Sequence, residues 1–143
     1  MNFILGVDPG MKKCGIVLVE LEKETVLLGE VVSAEKTQKL IYNLYERFPF
    51  SQIILGNGTT STYWQKSLCD LVPINVVNEK GTTLLARNRY WELWPPSWWQ
   101  RLVPKGLLVP SEELDAIAAL VMVEKYLERS FDWTEKPDFK NVL

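Results

Sequence analysis

Residues 4–20 read ILGVDPGMKKCGIVLVE: an apolar run, an acidic turn and a second apolar run. Because Pro and Gly favour a turn directly after Asp8, the stretch predicts two antiparallel strands, at residues 2–8 and 15–22. A third apolar run, TVLLGEVVS at 25–33, follows a short polar link and predicts the third strand of a meander. Asp8 either opens the turn or presents a carboxylate at the end of the first strand.

From residue 34 onward, helical periodicity alternates with short apolar runs. The predicted elements are helices at 34–48, 61–71, 82–93 and 112–129 and strands at 51–57 and 73–78. Ser111 is placed to cap the final helix, whose pattern is amphipathic. Strands separated by helices pair in parallel through right-handed crossovers. We therefore predict an α/β fold with a mixed five-stranded sheet, three antiparallel strands and then two parallel ones, and helices on both faces. The first strand belongs at the centre of this sheet.

The length of 143 residues predicts a single domain, 1–143, because a second full domain does not fit. Residues 94–110 form a Trp- and Pro-rich insertion with four of the eight prolines, and residues 131–143 form an irregular tail. Four tryptophans lie in or next to the insertion, at positions 91, 94, 98 and 99. They can pack on the sheet or in a homodimer interface, or stack on unpaired bases beside the nearby arginines.

Histidine is absent and only two cysteines occur. Without histidine, two thiols cannot complete a zinc site unless neighbouring carboxylates join them, and the commonest general base is missing. Cys14, in a predicted strand, and Cys69, in a predicted helix, are interpreted as small core residues in a reducing compartment. Hydrolysis would then depend on carboxylates, hydroxyls, amines or a hard metal ion.

The charge and hydropathy of the chain limit its partners. No apolar stretch approaches the roughly 20 residues needed to span a bilayer, and the N-terminus lacks the features of a signal peptide, so we predict a cytoplasmic protein without membrane contact. The net charge of -2 argues against avid, non-specific nucleic-acid binding. Residues 80–105, however, carry five basic side chains and one acid, which is compatible with one positive face.

Acidic residues follow two predicted strands and begin the last predicted helix. They are Asp8, Glu79, Glu112 and Asp115. The spacing of the last two puts them on one helical face, and all four converge if that helix packs across the sheet. Oxygen-only ligands suit Mg2+ or Mn2+, and two such ions can support phosphodiester hydrolysis. Each acid also has an ordinary explanation, as a turn opener, a surface glutamate or a partner of the helix dipole.

Four short segments carry motifs that resemble known families. VDPGMKKCGIVLVE, from Val7, resembles the opening motif of RuvC-like and YqgF-type (RuvX) nucleases of the ribonuclease H-like superfamily. NEKGTTLLA, from Asn78, resembles the YqgF-type pattern Asp-Glu-Arg-x-Thr-Thr-x-x-Ala. ELDAIAAL, from Glu113, resembles the last helix of RuvC-type resolvases. GNGTTS, from Gly56, resembles a segment in the YqgF-like domain of the Tex transcription factors, which is generally regarded as a binding module.

The resemblance implies a ribonuclease H-like fold, Mg2+ or Mn2+ as cofactor, and endonucleolytic cleavage of structured DNA or RNA. The implied catalytic and metal-binding residues are Asp8, Glu79, Glu112 and Asp115. RuvC proteins carry a glutamate at the end of the fourth strand, where this chain has residues 56–58, Gly-Asn-Gly. The YqgF pattern moves that role to the next strand end, where Glu79 is present.

The candidate substrate-binding residues are Lys12, Lys13, Asn57, Thr59, Lys80 and Arg87. The two neighbouring lysines flank the acidic turn and can contact phosphates, although exposed lysines are common in hairpins. The loop 56–61 either cradles a phosphate at a helix N-terminus or simply connects a strand to a helix. Lys80 is the basic residue of the YqgF-like motif, and Arg87 lies close to the tryptophans in the sequence.

The leading hypothesis is a metal-dependent endonuclease of Holliday-junction-resolvase or pre-rRNA-processing type that uses two-metal phosphodiester hydrolysis. The alternative is a catalytically inactive nucleic-acid-binding module of the same fold. A third hypothesis is a sugar-kinase-like or actin-like phosphate binder, because an Asp-x-Gly turn between strands also opens those folds. Those proteins enclose ATP between two copies of the domain, however, and this chain has room for one.

Overall fold

The computed structural model describes residues 2–104 and 114–134. The strands are β1 (Phe3–Asp8), β2 (Lys13–Glu20), β3 (Thr25–Ser33), β4 (Ile53–Gly56) and β5 (Ile74–Val77). The helices are α1 (Ala34–Arg47), α2 (Ser61–Leu68), α3 (Thr82–Leu93) and α4 (Asp115–Leu127), with a short 3-10 helix at Gln100–Leu102. The element order agrees with the order predicted from the sequence.

The five strands form one mixed sheet in the order β3-β2-β1-β4-β5. β1 pairs antiparallel with β2 on one side and parallel with β4 on the other, and β4 pairs parallel with β5. This confirms the predicted α/β fold, with β1 at the centre of the sheet. Asp8 lies opposite Gly15 of β2, at the carboxyl end of β1.

Side chains of β1 and β2 alternate between two hydrophobic cores, one on each face of the sheet. On one face, Leu5 and Ile16 pack with residues of α1 and α2, such as Ile41 and Trp64. On the other face, α3 and α4 pack over residues such as Ile4. Strands covered on both faces are apolar at nearly every position, which is why β1 and β2 appear in the sequence as continuous hydrophobic runs.

Helix α4 differs from the amphipathic helix predicted for residues 112–129. It begins at Asp115, directly after Leu114, while Ser111 and Glu112 lie outside the described residues. All eight residues of the segment 116–123 are buried. The helix is enclosed because the sheet covers one side and α3 covers another, so it has no long solvent-facing stripe.

The N-terminus of α4 rests directly on β2. A Cβ atom built on Gly15 would overlap the main chain of Asp115, so only glycine permits this approach. Because Gly15 is paired with Asp8, the same contact brings the start of α4 to the carboxyl end of β1.

The chain after α4 packs on the sheet, although residues 131–143 were predicted as an irregular tail. Within the described part, Phe131 and Trp133 are buried. Asp132 forms a parallel bridge with Thr25, supported by backbone hydrogen bonds from Val26 N–H to the Asp132 carbonyl and from Asp132 N–H to the Glu24 carbonyl, both 2.8 Å. Residues 135–143 of the predicted tail lie outside the described residues.

The tryptophans of the predicted insertion divide into two pairs. Trp91 and Trp94 pack against the core between α3 and α4, and Trp94 makes an edge-to-face contact with Trp133 at 5.2 Å. Trp98 and Trp99 are exposed, at 76% and 56%. Packing on the chain's own core therefore accounts for the first pair. Residues 105–110 of the insertion lie outside the described residues.

The prediction that both cysteines are buried is right for Cys14 and wrong for Cys69. Helix α2 ends at Leu68 instead of residue 71, which leaves Cys69 on the exposed turn that follows. No helix in the described ranges is sufficiently long and apolar to cross a membrane.

Gly15→Ala is expected to lower the free energy of unfolding by about 1–3 kcal/mol, because the added methyl group overlaps backbone that cannot move aside. Urea denaturation would measure the change. Lys23→Ala, at an exposed position in the turn before β3, is the control and should unfold as the wild type does. A wild-type free energy of unfolding in Gly15→Ala would contradict the assignment of Gly15 as the helix-docking position.

Candidate functional site

Asp8 occupies the switch point of the sheet. The strand order reverses at β1, which has the antiparallel β2 on one side and the parallel β4 on the other. Crevices at such positions, outside the carboxyl ends of parallel strands, are where open α/β sheets bind ligands. The Asp8 side chain is half-buried, and Pro9, directly after it, is buried. Asp8 therefore lies at the end of the sheet where β4 and β5 also end.

Glu79 reaches this position from the loop that follows β5. The N–H of Glu79 donates to Oδ1 of Asn57, 3.0 Å away, and the N–H of Thr82 donates to the Glu79 carbonyl at 3.0 Å. A further bond, from Lys80 N–H to Oδ1 of Asn78 at 2.9 Å, closes the turn. The main chain around Glu79 is thus held on both sides before α3 begins.

Two glycines leave room for the Glu79 carboxylate. A Cβ atom built on Gly56, the last residue of β4, would overlap Oε1 of Glu79. A Cβ atom on Gly58 would lie 3.1 Å from Oε2 of Glu79. The carboxylate therefore fills the space that a side chain at the end of β4 would occupy, and it lies against Asp8.

The Asp8 carboxyl group is strongly perturbed by its surroundings. The pKa of Asp8 is raised from 3.8 to about 8, first because the group is buried, then because of a hydrogen bond with Glu79 and repulsion by Glu79 and Asp115. Ionised carboxylates cannot donate, so this contact is a hydrogen bond only when the pair holds a proton. Oε1 of Glu79 is buried and meets no donor within residues 2–104 and 114–134. At neutral pH, the pair requires a proton or a cation.

Asp115 lies near this pair but has a cationic partner. It is the first residue of α4, and its repulsion contributes to the raised pKa of Asp8. Nζ of Lys13 lies 3.7 Å from Oδ2 of Asp115, and both side chains are partly exposed. The arrangement of a carboxylate pair with a third acid beside it matches the predicted convergence of Asp8, Glu79 and Asp115.

The donor set fits a hard divalent cation. A buried, unpaired carboxylate oxygen and a second carboxylate against it are oxygen ligands of the kind that Mg2+ and Mn2+ prefer. In the described part of the chain, no three or more His, Cys, Asp or Glu side chains form a group that could hold a metal. Completion of such a group would need Asp115 to turn from Lys13, or a ligand from elsewhere. Glu112, the fourth predicted ligand, lies outside the described residues.

Of the predicted substrate-binding residues, the two lysines lie beside the acids. Lys12 and Lys13 are exposed and line a depression of about 350 Å³ together with Asp8 and Asp115. Thr59 and Lys80 are exposed on neighbouring loops. The side-chain carbonyl of Asn57 holds the loop of Glu79, and the substrate contact predicted for this exposed residue stays a prediction.

Arg87 is half-buried on α3. Its Nε atom is buried and has no hydrogen-bond partner among the residues that the structure describes. The role in substrate binding predicted for Arg87 stays a prediction.

Cys14 is a neighbour of the site that the sequence did not suggest as part of it. Burial raises the pKa of the Cys14 thiol, and the charges of Asp8 and Asp115 raise it further. Its Sγ atom lies 4.0 Å from the carbonyl oxygen of Gly10, within the turn after β1. Cys14 directly precedes Gly15, which contacts the main chain of Asp115. The sequence alone does not show that contact. The neutral thiol contributes to the packing beneath the turn.

Solved structures with the same fold come from RuvC. Thermus thermophilus RuvC in complex with a Holliday junction substrate has a TM-score of 0.54 and 17% identity, with 90% of this chain and 96% of that chain covered. A second Thermus thermophilus RuvC structure has a TM-score of 0.52 and 16% identity, covering 87% and 94%. The large terminase nuclease from thermophilic phage G20c has a TM-score of 0.50 and 7% identity, covering 94% of this chain and 60% of that chain.

These similarities show a RuvC-like fold of the ribonuclease H type. No protein-family model matches the sequence, and no curated protein matches it either. At these identities the comparisons establish the architecture alone. Any activity therefore has to be argued from the side chains at the ends of β1 and β5.

The raised pKa of Asp8 predicts a pH-dependent stability of the metal-free protein. Between its ordinary value of 3.8 and about 8, the folded protein holds a proton that the unfolded chain has lost, so stability falls as the pH rises through this window. The loss cannot exceed about 1.4 kcal/mol per pH unit. Asp8→Asn removes the titrating group and is expected to be more stable than the wild type at pH 8.5.

Urea unfolding in EDTA at pH 4, 5.5, 7 and 8.5 would measure this difference. The wild type should lose stability relative to Asp8→Asn as the pH rises, and the two should be closest at pH 4. A constant difference across the series would show that Asp8 does not titrate in that window.

Proposed function

We propose that the chain is a divalent-metal-dependent endonuclease that hydrolyses phosphodiester bonds in structured DNA or RNA, of Holliday-junction-resolvase or pre-rRNA-processing type. The observation that carries this proposal is the contact between the Asp8 and Glu79 carboxyl groups, with a buried, unpaired oxygen on Glu79. Such a pair is costly in a metal-free protein, and a cation removes the repulsion.

Asp8 and Glu79 would hold Mg2+ or Mn2+, with Asp115 and Glu112 as further ligands in a two-metal site. When bound, the metal lowers the pKa of a water molecule and offsets the charge that develops on the phosphate. Asp8 would lose its proton when a cation binds, and the protein's own part is to hold Glu79 against it. No histidine is needed for this chemistry, in agreement with its absence from the sequence.

The lysines at the turn give the site a means of binding the nucleic-acid backbone. Lys12 and Lys13 are exposed at the depression that contains Asp8 and Asp115, where a phosphate would bring its own negative charge. Lys13 is within 4 Å of Asp115 and could pass from that carboxylate to a phosphate. Lys80, Thr59 and Arg87 remain further candidates for substrate contacts.

The sequence motifs and the fold support the same proposal. A RuvC structure in complex with a Holliday junction shares the architecture, and the YqgF-type motif around Glu79 accounts for the acid at the end of β5. Structured DNA or RNA is thus the proposed partner, within a single domain of residues 1–143 that acts in the cytoplasm. A homodimer would suit cleavage of two strands of a junction.

A second candidate is a catalytically inactive nucleic-acid-binding module of the same fold. It is favoured by the small number of acids in direct contact, since Asp115 lies beside Lys13. It is also favoured by the resemblance of the Gly56–Ser61 loop to the YqgF-like domain of Tex proteins.

Cleavage of a four-way DNA junction and of a structured RNA in Mn2+ separates these two functions. Asp8→Asn and Glu79→Gln should each lower the cleavage rate roughly 100-fold or more while leaving binding in EDTA intact, because they remove a ligand and keep the shape. Glu46→Gln, at an exposed site on α1, is the matched control.

Cleavage that survives Asp8→Asn would refute the proposed site. Binding by the wild type without cleavage in either Mg2+ or Mn2+ would favour the binding module.

A further inference from the structure

The end of β4 is tied to the loop after β5 by one residue, Asn57. Its backbone N–H donates to the carbonyl of Val77 at 2.9 Å and continues the pairing of the two strands beyond the Gly56–Val77 partners. Its side-chain Oδ1 accepts from the N–H of Glu79 at 3.0 Å. Because a backbone N–H can be paired only by the amide oxygen, the orientation of the side chain is fixed.

These two bonds place the backbone of Glu79 at a set distance from β4. On the other side, towards α3, the Thr82 N–H bond to the Glu79 carbonyl holds the loop, so the Asn57 amide is the bond that ties Glu79 to β4. Glu79 is also a long side chain with several rotatable bonds, and fixing it costs conformational entropy. The hydrogen bond from the Glu79 N–H to Asn57 fixes the backbone and so limits the positions that the Glu79 carboxylate can reach.

The space at Gly56 then selects among those positions. A Cβ at residue 56 would overlap Oε1 of Glu79, so the carboxylate can lie against Asp8 only because residue 56 has no side chain. Asn57 fixes the backbone of Glu79, and the space at Gly56 accommodates its carboxylate. The two residues are adjacent in the chain and act on the same glutamate.

We propose that Asn57 is a positioning residue that holds Glu79 against Asp8, with Gly56 as the position that admits the carboxylate. The inference rests on the proposed function, since positioning is useful only if the two acids bind a cation. The role in substrate binding predicted for Asn57 stays a separate prediction. The two roles use different ends of the amide: positioning needs the carbonyl as an acceptor, and a phosphate contact needs the NH2 group as a donor.

Asn57→Asp and Asn57→Ala separate these roles. Aspartate keeps an acceptor at nearly the same place and loses the donor, whereas alanine loses both. Binding of Mn2+, measured by the electron paramagnetic resonance of the free ion, is expected to weaken about 10–100-fold in Asn57→Ala. It is expected to stay at the wild-type level or to tighten in Asn57→Asp.

Asn43→Ala, at an exposed position on α1, is the matched control and should bind Mn2+ as the wild type does. Gly56→Ala should weaken binding in the same way as Asn57→Ala, although it leaves the Asn57 amide unchanged. Wild-type affinity in Asn57→Ala, or an equal loss in Asn57→Asp, would overturn the proposal.

Crystal structures of the metal-free wild type, Asn57→Ala and Asn57→Asp test the proposal independently of metal binding. Glu79 should leave Asp8 in the alanine variant and remain in place in the aspartate variant. If Glu79 stays against Asp8 without the amide, Asn57 does not position it. If the wild type binds no Mn2+, the proposed function fails, and the position of Glu79 in these crystals still decides the role of Asn57.

Discussion

Two carboxyl groups that repel each other are held in contact at the end of the central strand, and much of the surrounding structure serves to keep them there. Asp8 cannot retreat, because Val7 and Pro9 on either side are buried. Glu79 is kept in place by the Asn57 amide and by the space at Gly56. The raised pKa of Asp8 is the electrostatic sign of this confinement. In the proposed function, a bound cation would offset this repulsion.

The start of α4 depends on the same end of the sheet. Glycine at position 15 lets the helix backbone touch β2, and this contact sets the position of Asp115 relative to Asp8. Three segments that are far apart in the chain, the end of β1, the loop after β5 and the start of α4, thereby contribute acids to one end of the sheet. The sheet core supplies the rigidity, since β1 and β4 are buried on both faces.

The strands, their pairing and the meeting of Asp8 with Glu79 could be predicted because they depend on local periodicity and on the handedness of crossovers. The role of Asn57 could not, because its bond to Glu79 joins residues 22 apart and depends on the exact register of β4 and β5. Cys69 was misjudged because helix α2 ends after two turns, and helix ends are weakly encoded in sequence. The burial of α4 could not be predicted either, because it depends on packing against α3, and the periodicity of one helix does not reveal its neighbours.

The bridge between Thr25 and Asp132 has a consequence for self-association. β3 is an outer strand of the sheet, and its first residues are paired with the chain after α4, so that end is closed to addition of a strand from another molecule. The opposite outer strand, β5, is only four residues long and offers a short template. The start of β3 and the short β5 are therefore poor sites for pairing with a strand of a second copy.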